Sequence, residues 1–487
     1  MTEAVPERFG EKAVRGMVWT GLERMVTTLG RVAVGIVMAR LLLPNDYGLV
    51  GMLAIFISIG DSVVDGGLSV ALIQRKDRDE SDWATAFYSN LAFAAMAYGT
   101  LYFAAPVISV FYGEPVLVPL LRMLAILPVV NGLCYVQNVR LAVDLRFRAQ
   151  TFAAMVSLLV STSVGLTLAW KGCGPWAIVG QMVSGSVSGG AMAWLLARWL
   201  PRAPFSLKSF RRLFNFGSRH LCTALTNSIY GNMYSVVTGK AFGAVEIGYL
   251  GRATNFAVVP AEVMAGAVTN VGYPIMSKIQ DDVPRLTAAC ARLAAMPVFV
   301  LVPVLVAIAA AAEPSVRVLL GDKWLASAPL VKVLCAGAVF MPLAAVNKDL
   351  LYSCGRSDVV MRLEIAKKAI GFALLFAGLP FGLFGLCVSK SVYELLSFCI
   401  NAHRAGRFTG YGLGRQLHDL LPLACYGAVA YASATFAVVA ISSPLLQFTA
   451  GFAVAFGSYI AMALLFRDRN LADLVARLRT RLFPKSS

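Results

Sequence analysis

Apolar blocks of about 17 to 28 residues recur along the whole chain, with short polar or glycine- and proline-containing segments between them. At 1.5 Å per residue, a helical block of this length crosses a hydrocarbon layer of about 30 Å. The pattern therefore predicts an all-α polytopic membrane protein with about fourteen transmembrane helices, within a range of 12 to 14. The predicted spans are 14–40, 47–73, 84–110, 116–139, 149–170, 176–200, 213–239, 247–275, 288–312, 327–349, 359–379, 382–402, 417–440 and 444–466.

The composition excludes a large soluble domain. Hydrophobic residues make up 58% of the 487 residues and charged residues 14%, whereas soluble domains carry about 25% charged residues. The nine cysteines show no CxxC spacing, so we predict neither disulfides nor a metal site. We expect no cofactor, no catalytic residues and no removable signal peptide, since a polar segment precedes the first apolar block.

Lysine and arginine alternate between the two sides of the predicted helices. Most of the lysines and arginines near the ends of the predicted spans lie on the side that holds the N-terminus, and only five lie on the other side. Because basic loops stay in the cytoplasm, we predict cytoplasmic N- and C-termini in a multi-pass membrane protein. The net charge of +17 is explained by this pattern, and nucleic acid is not an expected partner. Residues 467–487 are predicted to form a basic amphipathic tail on anionic lipid.

The chain contains an internal repeat at an offset of 200 residues. Residues 39–51 (ARLLLPNDYGLVG) lie over residues 239–251 (GKAFGAVEIGYLG), with a base, an acid and two glycines in register. An even number of spans per half makes the repeat parallel, and such halves commonly hold a transported substrate between them. The predicted domains are an N-terminal six-helix bundle (1–205), a second six-helix bundle (206–405), two further helices (406–466) and the tail.

Polar residues inside the predicted spans are the candidate substrate-binding residues, because charges in hydrocarbon usually face a cavity or a partner. They share helical spacing in the first, seventh and eighth spans. Guanidinium groups bind phosphate oxygens with forked donors and keep their charge, so the predicted cargo is anionic. The candidates for this cavity are Arg24, Arg31, Asn227, Tyr230, Arg252 and Asn255.

Carboxylates in the spans have two interpretations that the sequence leaves open. Asp61 and Asp65 are one helical turn apart, and with Glu262 they could couple transport to protons or sodium. Alternatively, Arg24 and Arg31 pair with Glu23, Asp61 or Asp65 and lock helices together.

Several segments resemble a known family. They are 39–48 (ARLLLPNDYG), 67–75 (GLSVALIQR), 111–115 (FYGEP), 248–253 (GYLGRA), 277–282 (SKIQDD), 320–324 (LGDKW) and 355–358 (GRSD). In this order they resemble bacterial polysaccharide and lipopolysaccharide biosynthesis exporters, the oligosaccharide flippases of the multidrug/oligosaccharidyl-lipid/polysaccharide exporter superfamily.

This resemblance implies a V-shaped pair of six-helix bundles that flips an undecaprenyl-diphosphate-linked oligosaccharide by alternating access. It also implies that cavity arginines of related lipid flippases match Arg24 or Arg31 and Arg252. The implied partners are the lipid-linked oligosaccharide, membrane lipids, and polysaccharide-assembly proteins such as a polymerase or a chain-length regulator.

Two other functions fit parts of the sequence. A drug or metabolite cation antiporter of the same superfamily would need fewer cavity arginines. A membrane glycosyltransferase or polymerase would use the DxD pattern at Asp77 and Asp79, although a motif of three residues in a short charged loop is more often solvated surface.

Overall fold

The computed structural model describes residues 30–75, 77–473 and 475. Within these ranges the protein is helical, without strands. Two compact units divide the chain, Met1–Gly248 (unit 1) and Tyr249–Ser487 (unit 2). The predicted all-α membrane fold is confirmed. The boundary between the two repeated bundles, predicted at 205/206 from the sequence repeat, stays a prediction.

The described part of unit 1, from residue 30 onward, begins with α1, which is described over residues 30–41. The others are α2 (Pro44–Asp65), α3 (Leu68–Gln74), α4 (Glu80–Tyr112), α5 (Leu117–Leu124), α6 (Ile126–Val143), α7 (Phe147–Trp170), α8 (Pro175–Ala197) and α9 (Leu207–Ala241). Helix α9 belongs to unit 1 because it packs along α2, α3 and α4.

Helix α10 (Ala244–Lys278) begins in unit 1 and continues in unit 2. Unit 2 then contains α11 (Val283–Ala310), α12 (Ala312–Leu319), α13 (Ala328–Ala338), α14 (Phe340–Ser353), α15 (Ser357–Gly378), α16 (Gly382–Thr409), α17 (Leu413–Val439) and α18 (Pro444–Leu465). Short 3₁₀ turns at Asp322–Ser327 and Leu379–Phe381 join α12 to α13 and α15 to α16.

The described part of the chain has nine helical segments that are long and apolar enough to cross a membrane. One of them, Ser357–Thr409, contains both α15 and α16. Each of the fourteen predicted spans overlaps a helix, but the count of fourteen is not confirmed. Helices α8, α9 and α10 fall outside the nine, and α9 and α10 carry polar side chains along their length.

The segments that match in the sequence repeat also meet in space. A Cβ atom added to Gly48 would overlap the carbonyl oxygen of Ala244, and one added to Gly248 would overlap that of Pro44. The two contacts are reciprocal, because 44 and 48 correspond to 244 and 248 at the offset of 200. Only glycine permits this approach of two backbones, so the repeated glycines bring the first turns of α2 and α10 together.

Residues 469–473 at the C-terminus are helical. Most of the predicted amphipathic tail, at 474 and 476–487, lies outside the described residues. The preceding helices α17 and α18 pack on α11 through a contact of small residues, namely Ala307, Ala310, Ala434 and Ala455. Small side chains are typical of close helix contacts in membranes.

Candidate functional site

A pocket of about 660 Å³ lies within unit 1 and is lined mainly by α2, α3 and α6. Single residues of α5, α8 and α9 complete its wall. The polar residues that line it are Ser58, Asp61, Ser62, Asp65, Ser69, Tyr135 and Asn138. Among the described lining residues none is basic, and the remainder are apolar or glycine. The pocket is therefore an acidic, hydroxyl-rich cavity with apolar walls.

Helix α2 presents its acidic face to this pocket because of its periodicity. Ser58, Asp61 and Asp65 follow one another at steps of three and four residues, which places them on one face of a helix. The helix ends at Asp65 because Gly66 and Gly67 adopt left-handed φ angles of 54° and 72°. The backbone nitrogen of Ser69 then donates to the Asp65 carboxylate at 3.3 Å.

The Asp61 carboxylate is held by a chain of hydrogen bonds across three helices. Asn131 Nδ2 of α6 donates to Asp61 Oδ1 at 2.9 Å, and Ser186 Oγ of α8 donates to Asn131 Oδ1 at 2.7 Å. Because the amide of Asn131 is engaged at both ends, its orientation is fixed. The side chain of Asp61 is therefore positioned before any ligand arrives.

Serine hydroxyls connect α2 to α9 beside the pocket. Ser58 Oγ donates to Ser228 Oγ at 2.9 Å, and the hydroxyl of Ser62 lies 3.0 Å from the same atom. Ala224, one turn before Ser228, also lines the pocket. The face of α9 that meets the pocket thus contains small residues.

Unit 2 contains a second polar cluster inside the bundle. Lys367 Nζ donates to Glu364 Oε1 at 2.6 Å and lies 3.4 Å from Ser397 Oγ, while its side chain is only 4% exposed. Lys390, Glu394 and Glu262 interact electrostatically with one another, and Glu394 also interacts with Lys367. The cluster holds three carboxylates (Glu262, Glu364 and Glu394) and two ammonium groups (Lys367 and Lys390).

The residues predicted for one substrate cavity are distributed over both units. In unit 1, Arg31 and Asn227 are exposed and Tyr230 is half-buried, and none of the three lines the pocket. In unit 2, Asn255 is exposed and the half-buried Arg252 lies 5.8 Å above the ring of Trp324. Arg24 lies outside the described residues.

Of the three residues predicted for ion coupling, the structure brings two together. Asp61 and Asp65 share the pocket of unit 1, and Glu262 belongs to the cluster of unit 2. Sequence analysis did not identify Asn131, Tyr135 or Ser186. The available signal was the run of neutral polar residues in α6 and α8, which is weaker than a charge in an apolar span.

A network of charges lies at the end of unit 1 where the basic loops meet. Asp82 is fully buried and pairs with Arg212 and, at 3.4 Å, with Arg75. The DxD pattern belongs to this network, since Asp79 caps α4 by accepting a hydrogen bond from the backbone nitrogen of Asp82 at 2.7 Å. Asp79 thus has a structural role as a helix cap.

Comparison with known proteins identifies relatives along most of the chain. A family model described as "Polysaccharide biosynthesis protein" matches residues 37–329. The teichuronic acid biosynthesis protein TuaB of Bacillus subtilis is 25% identical over 80% of each chain. The succinoglycan biosynthesis transport protein ExoT of Rhizobium meliloti is 24% identical over 78% of each chain, and the lipopolysaccharide biosynthesis protein WzxC of Escherichia coli is 22% identical over 80% of this chain and 79% of its own.

Solved structures share the fold. The lipid II flippase MurJ, in an inward closed conformation, superposes with a TM-score of 0.76 at 13% identity, covering 93% of this chain and 99% of its own. An inward-facing multidrug transporter of the MATE family gives a TM-score of 0.57 at 17% identity over 81% of this chain and 99% of its own. The predicted family is confirmed, because the family model matches more than half of the chain: the chain belongs to the polysaccharide biosynthesis protein family.

Proposed function

We propose that the protein is a flippase that moves an undecaprenyl-diphosphate-linked oligosaccharide from the cytoplasmic to the periplasmic leaflet by alternating access. The cargo would be a repeat unit of an O-antigen, a capsule or an exopolysaccharide. The observation that carries the proposal is that a chain of this family has the fold of a lipid flippase along 93% of its length.

The diphosphate of this cargo requires positive groups. Arg252 suits the role because it places a guanidinium group on α10, and the ring of Trp324, 5.8 Å from its guanidinium carbon, restrains the side chain by a cation–π contact. Arg24 and Arg31 would add charge, and Asn255 follows Arg252 by three residues on α10. Asn227 and Tyr230 of α9 are proposed as polar contacts of the same cargo.

The proposed location is the bacterial inner membrane, with both termini in the cytoplasm. The supply of the cargo by cytoplasmic synthesis and its use by periplasmic polymerisation would make a polymerase and a chain-length regulator functional partners. Of the three residues predicted for coupling to a proton or sodium gradient, Glu262 is the one we propose for that role, and Asp61 and Asp65 are assigned a different role below.

Genetic complementation in the source bacterium tests the proposal. Deletion of the gene should cause an undecaprenyl-diphosphate-linked oligosaccharide to accumulate in the membrane, and the wild-type gene should remove it. We expect Arg252→Ala to reduce this activity about tenfold or more, since a charge-assisted contact contributes about 1.5–3 kcal/mol. Arg252→Lys should restore part of it, because lysine keeps the charge without the planar fork.

Arg317→Ala is the matched control, since Arg317 forms exposed ion pairs with Glu313 and Asp322 in the same unit. It should complement like the wild type. Absence of any accumulated lipid-linked oligosaccharide in the deletion strain would contradict the proposal. Resistance of the wild-type strain to amphipathic cations that kill the deletion strain would instead support the antiporter.

A further inference from the structure

We propose that the pocket of unit 1 is a subsite for neutral sugar residues, with Asp61 and Asp65 as hydrogen-bond acceptors. This inference rests on the proposed flippase function and specifies which part of the cargo binds at the pocket and which sugars it selects.

The dimensions of the pocket suit a small organic group. Its volume of about 660 Å³ lies within the range of about 300–1,000 Å³ that is usual for small-molecule sites. Such sites combine apolar walls with a few positioned polar groups. Here Val50, Ala54, Ile57 and Leu124 form apolar wall, and the carboxylates and hydroxyls lie along α2 and α3.

The polar groups of the pocket complement sugar hydroxyls. An ionised carboxylate only accepts hydrogen bonds and offers two oxygens, and each hydroxyl of a sugar can donate one. Asn131 occupies Asp61 Oδ1, and no hydrogen bond from a described residue reaches Asp61 Oδ2. The side chain is thus fixed through one oxygen while the other can accept from a ligand.

The spacing of the two aspartates fits a ring rather than a point charge. Side chains at i and i+4 on a helix have Cβ atoms about 5–6 Å apart, which is about the width of a pyranose ring. Asp61 and Asp65 can therefore accept from hydroxyls on different parts of one sugar or of two linked sugars. Tyr135, whose hydroxyl lies 3.5 Å from the Asp61 carbonyl oxygen, adds an aromatic face with a polar tip to the same cavity.

The sign of the charge determines the class of sugar. Neither Asp61 nor Asp65 forms an ion pair within 4.0 Å with another residue in the described ranges, and the described lining contains no basic side chain. Two carboxylates repel the negative charges of a diphosphate or a uronic acid. They also offer these anions no hydrogen-bond donors, because an ionised carboxylate only accepts. The pocket therefore favours neutral hexoses and N-acetylhexosamines, and the diphosphate has to bind elsewhere.

Ion coupling is the competing use of the same carboxylates. A cavity of about 660 Å³ is much larger than the space that a single ion or proton fills. Its size favours the sugar subsite over an ion site.

Equilibrium binding to the full-length protein in detergent micelles tests the subsite with three defined probes. They are undecaprenyl diphosphate, undecaprenyl-diphosphate-linked glucose and undecaprenyl-diphosphate-linked glucuronic acid. The wild type should bind the glucose probe about tenfold more tightly than the bare lipid, as one or two hydrogen bonds to a charged acceptor predict. It should not bind the glucuronate probe more tightly than the bare lipid.

Asp61→Ala and Asp65→Ala should each remove most of the preference for the glucose probe and leave affinity for the bare lipid unchanged. Asp61→Asn, which keeps the shape, should narrow the difference between the glucose and glucuronate probes. Asp281→Ala, which removes an exposed carboxylate of unit 2, is the matched control and should behave like the wild type.

Three results would overturn the subsite. They are equal wild-type affinity for the glucose probe and the bare lipid, preference for glucuronate, or equal loss of affinity for all three probes in the aspartate variants. Failure of the flippase function is distinguishable, because it would appear as absence of translocation by a wild-type protein that still distinguishes the probes.

Discussion

At the scale of single residues, Asp82 shows how the basic end of unit 1 is stabilised. Its carboxylate is fully buried between Arg212 and Arg75, and it also accepts a hydrogen bond from the backbone nitrogen of Asp79 at the start of α4. Beside it, Glu80 pairs with Arg140 at 3.7 Å, and the guanidinium of Arg140 lies 5.2 Å from the ring of Trp199. Charges removed from water need such partners.

We predict that Asp82→Asn lowers the free energy of unfolding by about 2 kcal/mol, because a charge-assisted hydrogen bond contributes about 1.5–3 kcal/mol. Thermal unfolding in detergent micelles measures the change. Asp322→Asn is the control, since Asp322 pairs with Arg317 at 3.0 Å in an exposed position, where ion pairs contribute at most about 1 kcal/mol. Equal stability of the two variants would contradict this account of Asp82.

Glu262 carries the remaining prediction for ion coupling. It belongs to a cluster with three carboxylates and two ammonium groups, so one carboxylate has no ammonium counterpart within the five. We predict that Glu262→Gln abolishes stimulation of transport by a proton or sodium gradient, while Asp61→Asn and Asp65→Asn retain it. Translocation rates in proteoliposomes with and without each gradient provide the measurement. If Asp61→Asn and Asp65→Asn lost the stimulation and Glu262→Gln kept it, the two aspartates, and not Glu262, would be the coupling residues.

Sequence alone identified Asp61 and Asp65, because charges inside an apolar run are conspicuous. It did not identify Asn131, since a neutral amide in a span also occurs in ordinary helix contacts. Periodicity indicated that Asn227 and Tyr230 share a face of α9. It contains no information about which face meets α2, and in the structure Ala224 and Ser228 are the residues of α9 at the pocket and its serine cluster.

At the scale of helices, glycine determines how closely α2 and α10 approach. We predict that Gly48→Ala strongly lowers thermal stability in micelles, because its Cβ would overlap the Ala244 backbone. Gly99→Ala is the matched control: Gly99 lies inside α4 with open space around its Cβ position, so alanine should stabilise that helix by up to about 1 kcal/mol. Similar melting temperatures for the two variants would show that the α2–α10 contact is unimportant.

The lengths of the apolar blocks predicted where the helices lie, but they did not predict where a helix is interrupted. The predicted span 47–73 is two helices, because Gly66 and Gly67 both adopt left-handed conformations. Their purpose is apparent only in three dimensions, where the backbone of α9 at Gly217 passes directly against Gly67. Similarly, the predicted span 116–139 is divided into α5 and α6 at Ala125, within an apolar run that shows no break.

At the scale of the whole molecule, the distribution of lysine and arginine predicts which loops face the cytoplasm. Residues 171–174 are predicted to lie in the periplasm, so a reporter enzyme that is active only in the periplasm should be active when it is inserted there. Residues 354–356 and the C-terminus are predicted to lie in the cytoplasm, so a reporter that is active only in the cytoplasm should be active at these two positions. The opposite activities at all three positions would reverse the predicted orientation.

Reconstituted translocation tests the central claim most directly. Purified protein in proteoliposomes should accelerate the movement of a fluorescent undecaprenyl-diphosphate-linked oligosaccharide between leaflets, measured by quenching from outside. Vesicles with Arg252→Ala protein should show at least about tenfold slower movement, as the lost phosphate contact predicts, and protein-free vesicles should show none. Equal rates in wild-type and protein-free vesicles would contradict the claim that this chain is a flippase.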